Sequence, residues 1–315
     1  MEHWLEVEIT LPVEEYRQSM DLVSIILIES GAGGVVLEDP ALLADLIDRG
    51  SVETVALQPE QAAIAPAVKA YFPVDGSLPG VLEEIRQALG RIMQSGDYNL
   101  KTRQVARQDW NAVWRAYYKP VKVGRRLVVR PVWEEYGPVA NELVITLDPG
   151  LAFGCGAHPT TSMCLRLLEE YIRGGEMVCD VGTGSGILAV AAAHLGARRV
   201  LAVDLDELAV QAARENVARN GLEDVVQVAR GNLLDMVFGR ADLVVANILA
   251  DVVITMVPEV GRVLAPGGRF IASGIIKNRG GEVRRAIHAA GLDVEQVCMD
   301  GQWLALVAGK ETWRF

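Results

Sequence analysis

Residues Val178–Gly186 read V-C-D-V-G-T-G-S-G, and this string restricts the fold more than any other stretch of the chain. An apolar run ends in Asp180. Gly182, Gly184 and Gly186 follow at once, and then the apolar helical pattern Ile187-Leu188-Ala189-Val190. A strand, a tight glycine turn and a helix start in that order bring backbone close to a nucleotide-like ligand. Spacing discriminates between ligands. Dinucleotide-binding turns read G-x-G-x-x-G, with the last glycine packing the helix onto the strand. Here the third glycine comes one residue early, and Ile187 stands where the dinucleotide pattern requires glycine. A nicotinamide-dependent oxidoreductase is disfavoured on that ground. The plainer alternative is a glycine turn without a ligand.

A second acidic residue meets the same requirement. Arg199-Val200-Leu201-Ala202-Val203-Asp204 reads as a buried parallel strand ending in a carboxylate. Asp204 lies 22 positions after Gly182, close to the spacing of about 20 at which an acidic residue takes ribose hydroxyls in nucleotide-binding βαβ units. A carboxylate can accept from two vicinal hydroxyls at once, and ionised acceptors make the stronger hydrogen bonds. Asp204 and Asp206 both precede a helix over Glu207–Asn220, so either can be its N-cap. The cap is assigned to Asp206 and the ligand to Asp204.

At 315 residues the chain is long for one core and sufficient for two domains. An apolar fraction of 50% with 31 glycines fits a packed α/β protein. The net charge of -11 disfavours direct binding to a nucleic-acid backbone and suits encounter with a basic partner. The most apolar window, Leu243–Val257, is interrupted by Asn247 and Asp251 and is too short to span a bilayer. Met1-Glu2-His3-Trp4 lacks a basic and then apolar leader, so no secretory signal is expected and the predicted location is cytoplasmic. Cys155, Cys164, Cys179 and Cys298 show no metal-type spacing, and no metal is expected.

The pattern changes twice along the chain. Residues 1–105 read as β-α-β-β-α-β, the ferredoxin-like plan, with strands at Trp4–Ile9, Val35–Glu38, Ala67–Phe72 and Leu100–Val105. The stretch Asp39–Pro66 does not fit it and reads as an insertion. Residues 106–150 form a bridge carrying Trp110, Trp114, Tyr117 and Tyr118, followed by a short hairpin at Lys122–Arg130. The bridge aromatics read as interdomain packing ahead of substrate contact. Residues 151–315 read as the second domain, in which β and α alternate regularly from Glu169 on, with strands at Met177–Val181, Val200–Asp204, Val225–Ala229, Leu243–Asn247, Arg269–Ser273, Leu292–Met299 and Gln302–Ala308. That predicts a mostly parallel, doubly wound, seven-stranded sheet. The last two strands meet at Asp300-Gly301, too close for a crossover, so the final strand is antiparallel.

Several motifs resemble those of the PrmA family, bacterial methyltransferases of large-subunit ribosomal protein eleven. They are Leu147-Asp148-Pro149-Gly150-Leu151-Ala152-Phe153-Gly154-Cys155-Gly156-Ala157-His158-Pro159-Thr160-Thr161, the Asp180–Gly186 turn, Asp204, Val245-Ala246-Asn247-Ile248-Leu249-Ala250 and Ser273-Gly274-Ile275-Ile276-Lys277. The similarity covers most of residues 106–309, while residues 1–105 match in layout only. Cys155 stands where threonine is usual, and Asn232 replaces an expected aspartate.

The resemblance implies an S-adenosylmethionine-dependent protein N-methyltransferase that modifies lysine side chains, and possibly the α-amine, of ribosomal protein eleven. It also implies a Rossmann-like class I methyltransferase domain preceded by a smaller substrate-recognition domain. The alternative is a class I methyltransferase for another protein or a small molecule. For the cofactor the resemblance implies Thr161, Gly182, Gly184, Asp204, Asn232 and Asn247; for orienting the nucleophile, Asn247. Each position has a physical reading beside it. The Thr161 hydroxyl sits where a helix N-terminus can receive the ligand carboxylate, or it is a plain cap. A Cβ at Gly182 would keep backbone from the methionine part of the cofactor. Asn247 ends the fourth strand, and its amide can accept an N–H from an incoming amine. His158, in a Gly/Pro loop, reads as a structural hydrogen-bonding residue ahead of a general base. The sulfonium is already an activated electrophile, so the chemistry asks for a neutral amine, alignment and exclusion of water.

Overall fold

The computed structural model describes residues 3–12, 16–32, 35–39, 65–74, 78–93, 98–106, 119–148, 156, 158–237 and 239–310. The chain divides into two compact units, Met1–Tyr117 and Tyr118–Phe315.

In the first unit β1 (His3–Thr10), α1 (Tyr16–Glu29), β2 (Val35–Glu38), β3 (Ala67–Pro73), α2 (Leu78–Ile92) and β4 (Asn99–Ala106) follow one another. The sheet order is β2-β3-β1-β4, antiparallel throughout. This is the ferredoxin-like arrangement, and it follows from period-2 strands flanking two amphipathic helices. Val7 and Ile9 on one face of β1 pack with Val23 and Leu27 of α1 and Ile85 and Leu89 of α2, all fully buried. On the opposite face Glu6 is 8% exposed and accepts the Tyr71 hydroxyl at 2.8 Å and the Arg103 guanidinium at 3.2 and 3.3 Å. Such pairing is what keeps a nearly buried carboxylate tolerable. Residues 40–64, the core of the expected insertion, and the bridge aromatics Trp110, Trp114, Tyr117 and Tyr118 lie outside the described residues.

The second unit opens with a small sheet, β5 (Val121–Val123), β6 (Leu127–Pro131) and β7 (Leu143–Leu147). β5 and β6 form the expected hairpin, and β7 adds in parallel beside β6. The turn of the hairpin is fastened to α3 (Pro159–Tyr171), where Glu169 accepts the backbone N–H groups of Arg125 and Arg126 at 2.7 Å each.

Seven further strands build the large sheet: β8 (Met177–Val181), β9 (Arg199–Asp204), β10 (Val226–Arg230), β11 (Ala241–Asn247), β12 (Leu264–Ile276), β13 (Asp293–Asp300) and β14 (Trp303–Gly309). Between them run α4 (Ile187–His194), α5 (Glu207–Arg219), α6 (Ala250–Val263) and α7 (Gly280–Ala289). The order is β10-β9-β8-β11-β12-β14-β13, with β8 to β12 parallel. The final strand, β14, inserts antiparallel between β12 and β13. β14 is buried along its whole length, as a central strand must be, whereas β13 alternates at the edge. The strand order reverses between β8 and β11, and at such a switch point the loops leaving the two strands diverge to open a crevice.

Candidate active site

The crevice forms where four strand ends line up. Register sets Val181 beside Ala246 and Val203, and Arg230 beside Asp204, so Gly182, Asn247, Asp204 and Asn232 all lie at the carboxyl edge. The glycine turn has φ of 71° at Gly182, 55° at Gly184 and 83° at Gly186, the left-handed region that a residue with a Cβ enters at a cost. A Cβ on Gly182 would collide with the Ile248 side chain from the β11 loop. Glycine at 182 is thus demanded from the protein side as well as by close approach of a ligand. At Gly186 a Cβ would meet Ala213 Cα at 3.1 Å, so the glycine also permits α5 to pack on the turn.

The turn is held from β9. Val203 O accepts the N–H groups of Gly182 at 2.8 Å and Thr183 at 3.1 Å, and Asp204 Oδ2 accepts Gly184 N–H at 2.9 Å. Asp204 Oδ1 accepts Asp206 N–H at 3.1 Å, while Asp206 caps α5 by accepting Leu208 N–H at 3.0 Å. Asp204 is half-buried. Its two oxygens offer about four acceptor sites, so vicinal hydroxyls can be received beside the two backbone bonds. Asn232 lies exposed just past the end of β10.

Asn247 ends β11, and its Nδ2 donates to Thr161 Oγ1 at 3.2 Å. Its Oδ1 is buried and, among the described residues, meets no hydrogen-bond donor. A buried amide oxygen left so costs about 1–3 kcal/mol, which an arriving N–H recovers. The loop after Asn247 is fixed from β12: Ile248 N–H donates to Ser273 O at 3.2 Å. Gly274, at φ 80°, sits against the Ile248 carbonyl where no Cβ fits. Thr161 is fully buried in the first turn of α3. The helix begins at Pro159, and His158 supplies the cap: its Nδ1 accepts Thr160 N–H at 3.3 Å. The imidazole also stands edge-on to Trp303, ring centroids 5.0 Å apart. Burial drives its pKa down to about 4, so the ring is neutral at ordinary pH. Phe153, Cys155 and most of the loop before it lie outside the described residues.

Asp180 is fully buried behind the turn, where Oδ2 accepts the Thr183 hydroxyl at 2.6 Å and Ala189 N–H at 3.1 Å. Burial pushes its pKa up to about 7, against the downward pull of those two bonds, and the Asp204 charge adds to the rise. The folded state therefore holds this proton more tightly than the unfolded chain, whose carboxyl titrates near 3.8. Its contribution to stability is full below about pH 4, is lost as pH rises to about 7 and changes little beyond. His158 acts in the opposite sense, gaining stability as pH rises from about 4. Comparison of Asp180→Asn with the parent isolates the carboxyl. The loss of urea resistance between pH 5 and pH 8 is expected to be smaller in the variant, by on the order of 1 kcal/mol per pH unit at the steepest. Parallel curves for the two proteins would show that Asp180 is already ionised when folded at pH 5.

A seven-stranded sheet in this order, with a glycine turn and an acidic strand end beside its switch point, defines a class I methyltransferase, whose cofactor is S-adenosylmethionine. A family model described as ribosomal protein L11 methyltransferase (PrmA) matches residues 3–311. The chain belongs to that family. It is 50% identical over 307 residues to the ribosomal protein L11 methyltransferase of Pelotomaculum thermopropionicum, covering 97% of this chain and 98% of that one. It is 46% identical over 304 residues to the corresponding protein of Desulforamulus reducens, covering 96% and 97%. Among solved structures it is similar to the ribosomal protein L11 methylase of Lactobacillus delbrueckii subsp. bulgaricus, at 38% identity and a TM-score of 0.58. That similarity covers 62% of this chain and 100% of the other.

Proposed function

We propose that this chain methylates ribosomal protein L11 on lysine side-chain amines, working in the cytoplasm, with residues 151–315 binding S-adenosylmethionine and residues 1–105 recognising the substrate. The observation that carries the chemical half is the buried Oδ1 of Asn247 at the switch point of the sheet, which meets no donor among the described residues. An oxygen can only accept, so the group it is set to meet carries N–H or O–H. A neutral lysine amine fits. Its N–H donates to Asn247 Oδ1, which turns the nitrogen lone pair away from the amide and along a fixed line. Thr161 holds the other end of the amide and keeps it from rotating.

S-adenosylmethionine, bound at the turn, supplies a methyl group already activated on a sulfonium. The residues that fit it are Gly182 and Gly184 for close backbone approach, Asp204 for the ribose hydroxyls, Thr161 for the carboxylate and Asn232 for the adenine edge. The protein then needs only to present the amine unprotonated, and shielding it from water lowers its pKa from about 10.4. His158 caps α3 and is held neutral by burial. The net charge of -11 suits a basic substrate such as a ribosomal protein.

Radioactive methyl transfer from labelled cofactor to purified L11, followed by mapping of the modified residues, tests this directly; label on a different residue type or no label on L11 would reject it. For the site itself, Asp204→Ala is expected to weaken cofactor binding about ten- to a hundredfold, the loss of charge-assisted hydrogen bonds worth roughly 1.5–3 kcal/mol. Calorimetry that finds an unchanged affinity in the folded variant removes Asp204 from the site.

A further inference from the structure

Among the described residues β7 pairs with a strand, β6, along one edge only, and side chains from the end of α5 meet its other edge. Two asparagines one helical turn apart meet that edge. Asn220 Oδ1 accepts Thr146 N–H at 2.9 Å and its Nδ2 donates to Thr146 O at 2.8 Å. Asn216 Oδ1 accepts Asp148 N–H at 2.9 Å and its Nδ2 donates to Asp148 O at 3.0 Å. A carboxamide carries the donor and acceptor of a peptide group, so each side chain takes the place of a residue on a neighbouring strand. The periods agree. Four residues of helix advance about 6 Å, and two residues of strand about 6.6 Å.

Asn216 does one thing more. Its second amide hydrogen goes to Ser185 O, inside the glycine turn, at 2.8 Å. The residue is fully buried, and Arg219 Nη1 donates to its oxygen at 3.2 Å, so every hydrogen-bonding position of the side chain is filled. One amide therefore ties the turn to Asp148, the residue from which the chain leaves for the F-G-x-G loop and His158. Asn220 reaches β7 and makes no bond to the turn.

We infer that Asn216 is a positioning residue for cofactor binding, setting the turn and Asp148 at the end of β7 at a fixed separation although it is too deep to touch the ligand. This rests on the cofactor lying at the Gly182–Gly186 turn. Asp204→Ala is carried alongside for that reason: unchanged affinity there removes Asp204 from the cofactor site and with it the reading on which this inference rests, whereas failure of the Asn216 variant alone removes only the role of Asn216.

The test uses the full-length chain. Asn216→Asp keeps an acceptor for Asp148 N–H and removes both donors, and Asn220→Asp removes the donors to Thr146 O on β7 and to Asn216 O without reaching the turn. Both variants are checked for folding by circular dichroism and titrated with S-adenosylmethionine by calorimetry. Asn216→Asp is expected to bind at least about tenfold more weakly, with turnover at saturating cofactor falling by less than about threefold. Asn220→Asp is expected to stay within about twofold in affinity while melting at lower temperature. Parent-like affinity in Asn216→Asp, or an equal loss in both variants, overturns the inference. Should Asn216→Asp not fold, hydrogen exchange on the parent chain decides. Cofactor is expected to slow the Asp148 amide at least about tenfold and to leave Val297 on the β13 edge unchanged. Equal slowing at both, or none at Asp148, overturns it too.

Discussion

Asn247→Ala is expected to bind S-adenosylmethionine within about threefold of the parent and to lose at least about a hundredfold in methyl transfer to L11. The asymmetry follows from the two ends of the amide. Nδ2 is engaged with Thr161 inside the protein, whereas Oδ1 is buried and meets no donor among the described residues. Removing the amide takes away the acceptor that orients the amine, and misalignment of reacting atoms by about 1 Å can cost on the order of a hundredfold. The ribose and carboxylate contacts of the cofactor, assigned to Asp204 and Thr161, remain. Single-turnover rates at saturating cofactor, with affinity measured separately, check this. If binding and turnover fall together, Asn247 serves the cofactor or the fold and does not position the amine.

The second large effect concerns residues 1–105. The first unit has its own core, built by Val7, Val23, Leu27 and Ile85, and every residue proposed to hold cofactor lies beyond position 150. A chain starting at Arg107 is therefore expected to bind S-adenosylmethionine almost normally and to methylate intact L11 on the order of a hundredfold more slowly. That is the scale at which a tethered docking module raises the effective concentration of its target. Short lysine peptides, poor substrates in either case, are expected to differ by less than about threefold between the two chains. Initial rates with L11 and with a peptide, on a truncated chain shown by circular dichroism to be folded, provide the comparison. Equal rates on L11 would give residues 1–105 another task, such as oligomerisation.

The sheet was readable because its signals are local. Strands such as β8, β9 and β11 are short apolar runs closed by a turn residue, and the pair joined at Asp300-Gly301 could not be parallel. In the first unit the β-α-β-β-α-β succession admits few connections, and the observed β2-β3-β1-β4 order is one of them. β7 escaped the sequence reading for a physical reason. It is five residues long, and its parallel partner β6 is not joined to it by a tight turn. Its second edge is met by side-chain amides, which leave no strand pattern of their own. One trace of them does exist. Asn216 and Asn220 fall on the stripe of α5 that also carries Ala209, Ala213 and Val217, and a polar residue inside an apolar stripe needs a partner.

The sequence alone disfavoured a dinucleotide at the turn, since Gly186 comes one residue early and Ile187 stands where that pattern requires glycine, while S-adenosylmethionine was implied by the family resemblance. The glycine spacing is a constraint between residues close in the chain, where backbone conformation is decided by the residues themselves. Tertiary structure alone decided how the site is supported. Asn247 meets Thr161 across 86 positions, Asn216 meets Asp148 across 68 and Ser273 meets Thr160 across 113. It also decided that His158 is a cap held neutral by burial and that Asp180 binds its proton up to about pH 7. Desolvation and hydrogen-bond pairing depend on what the folded chain stacks around a group, and neighbours in sequence carry no record of that.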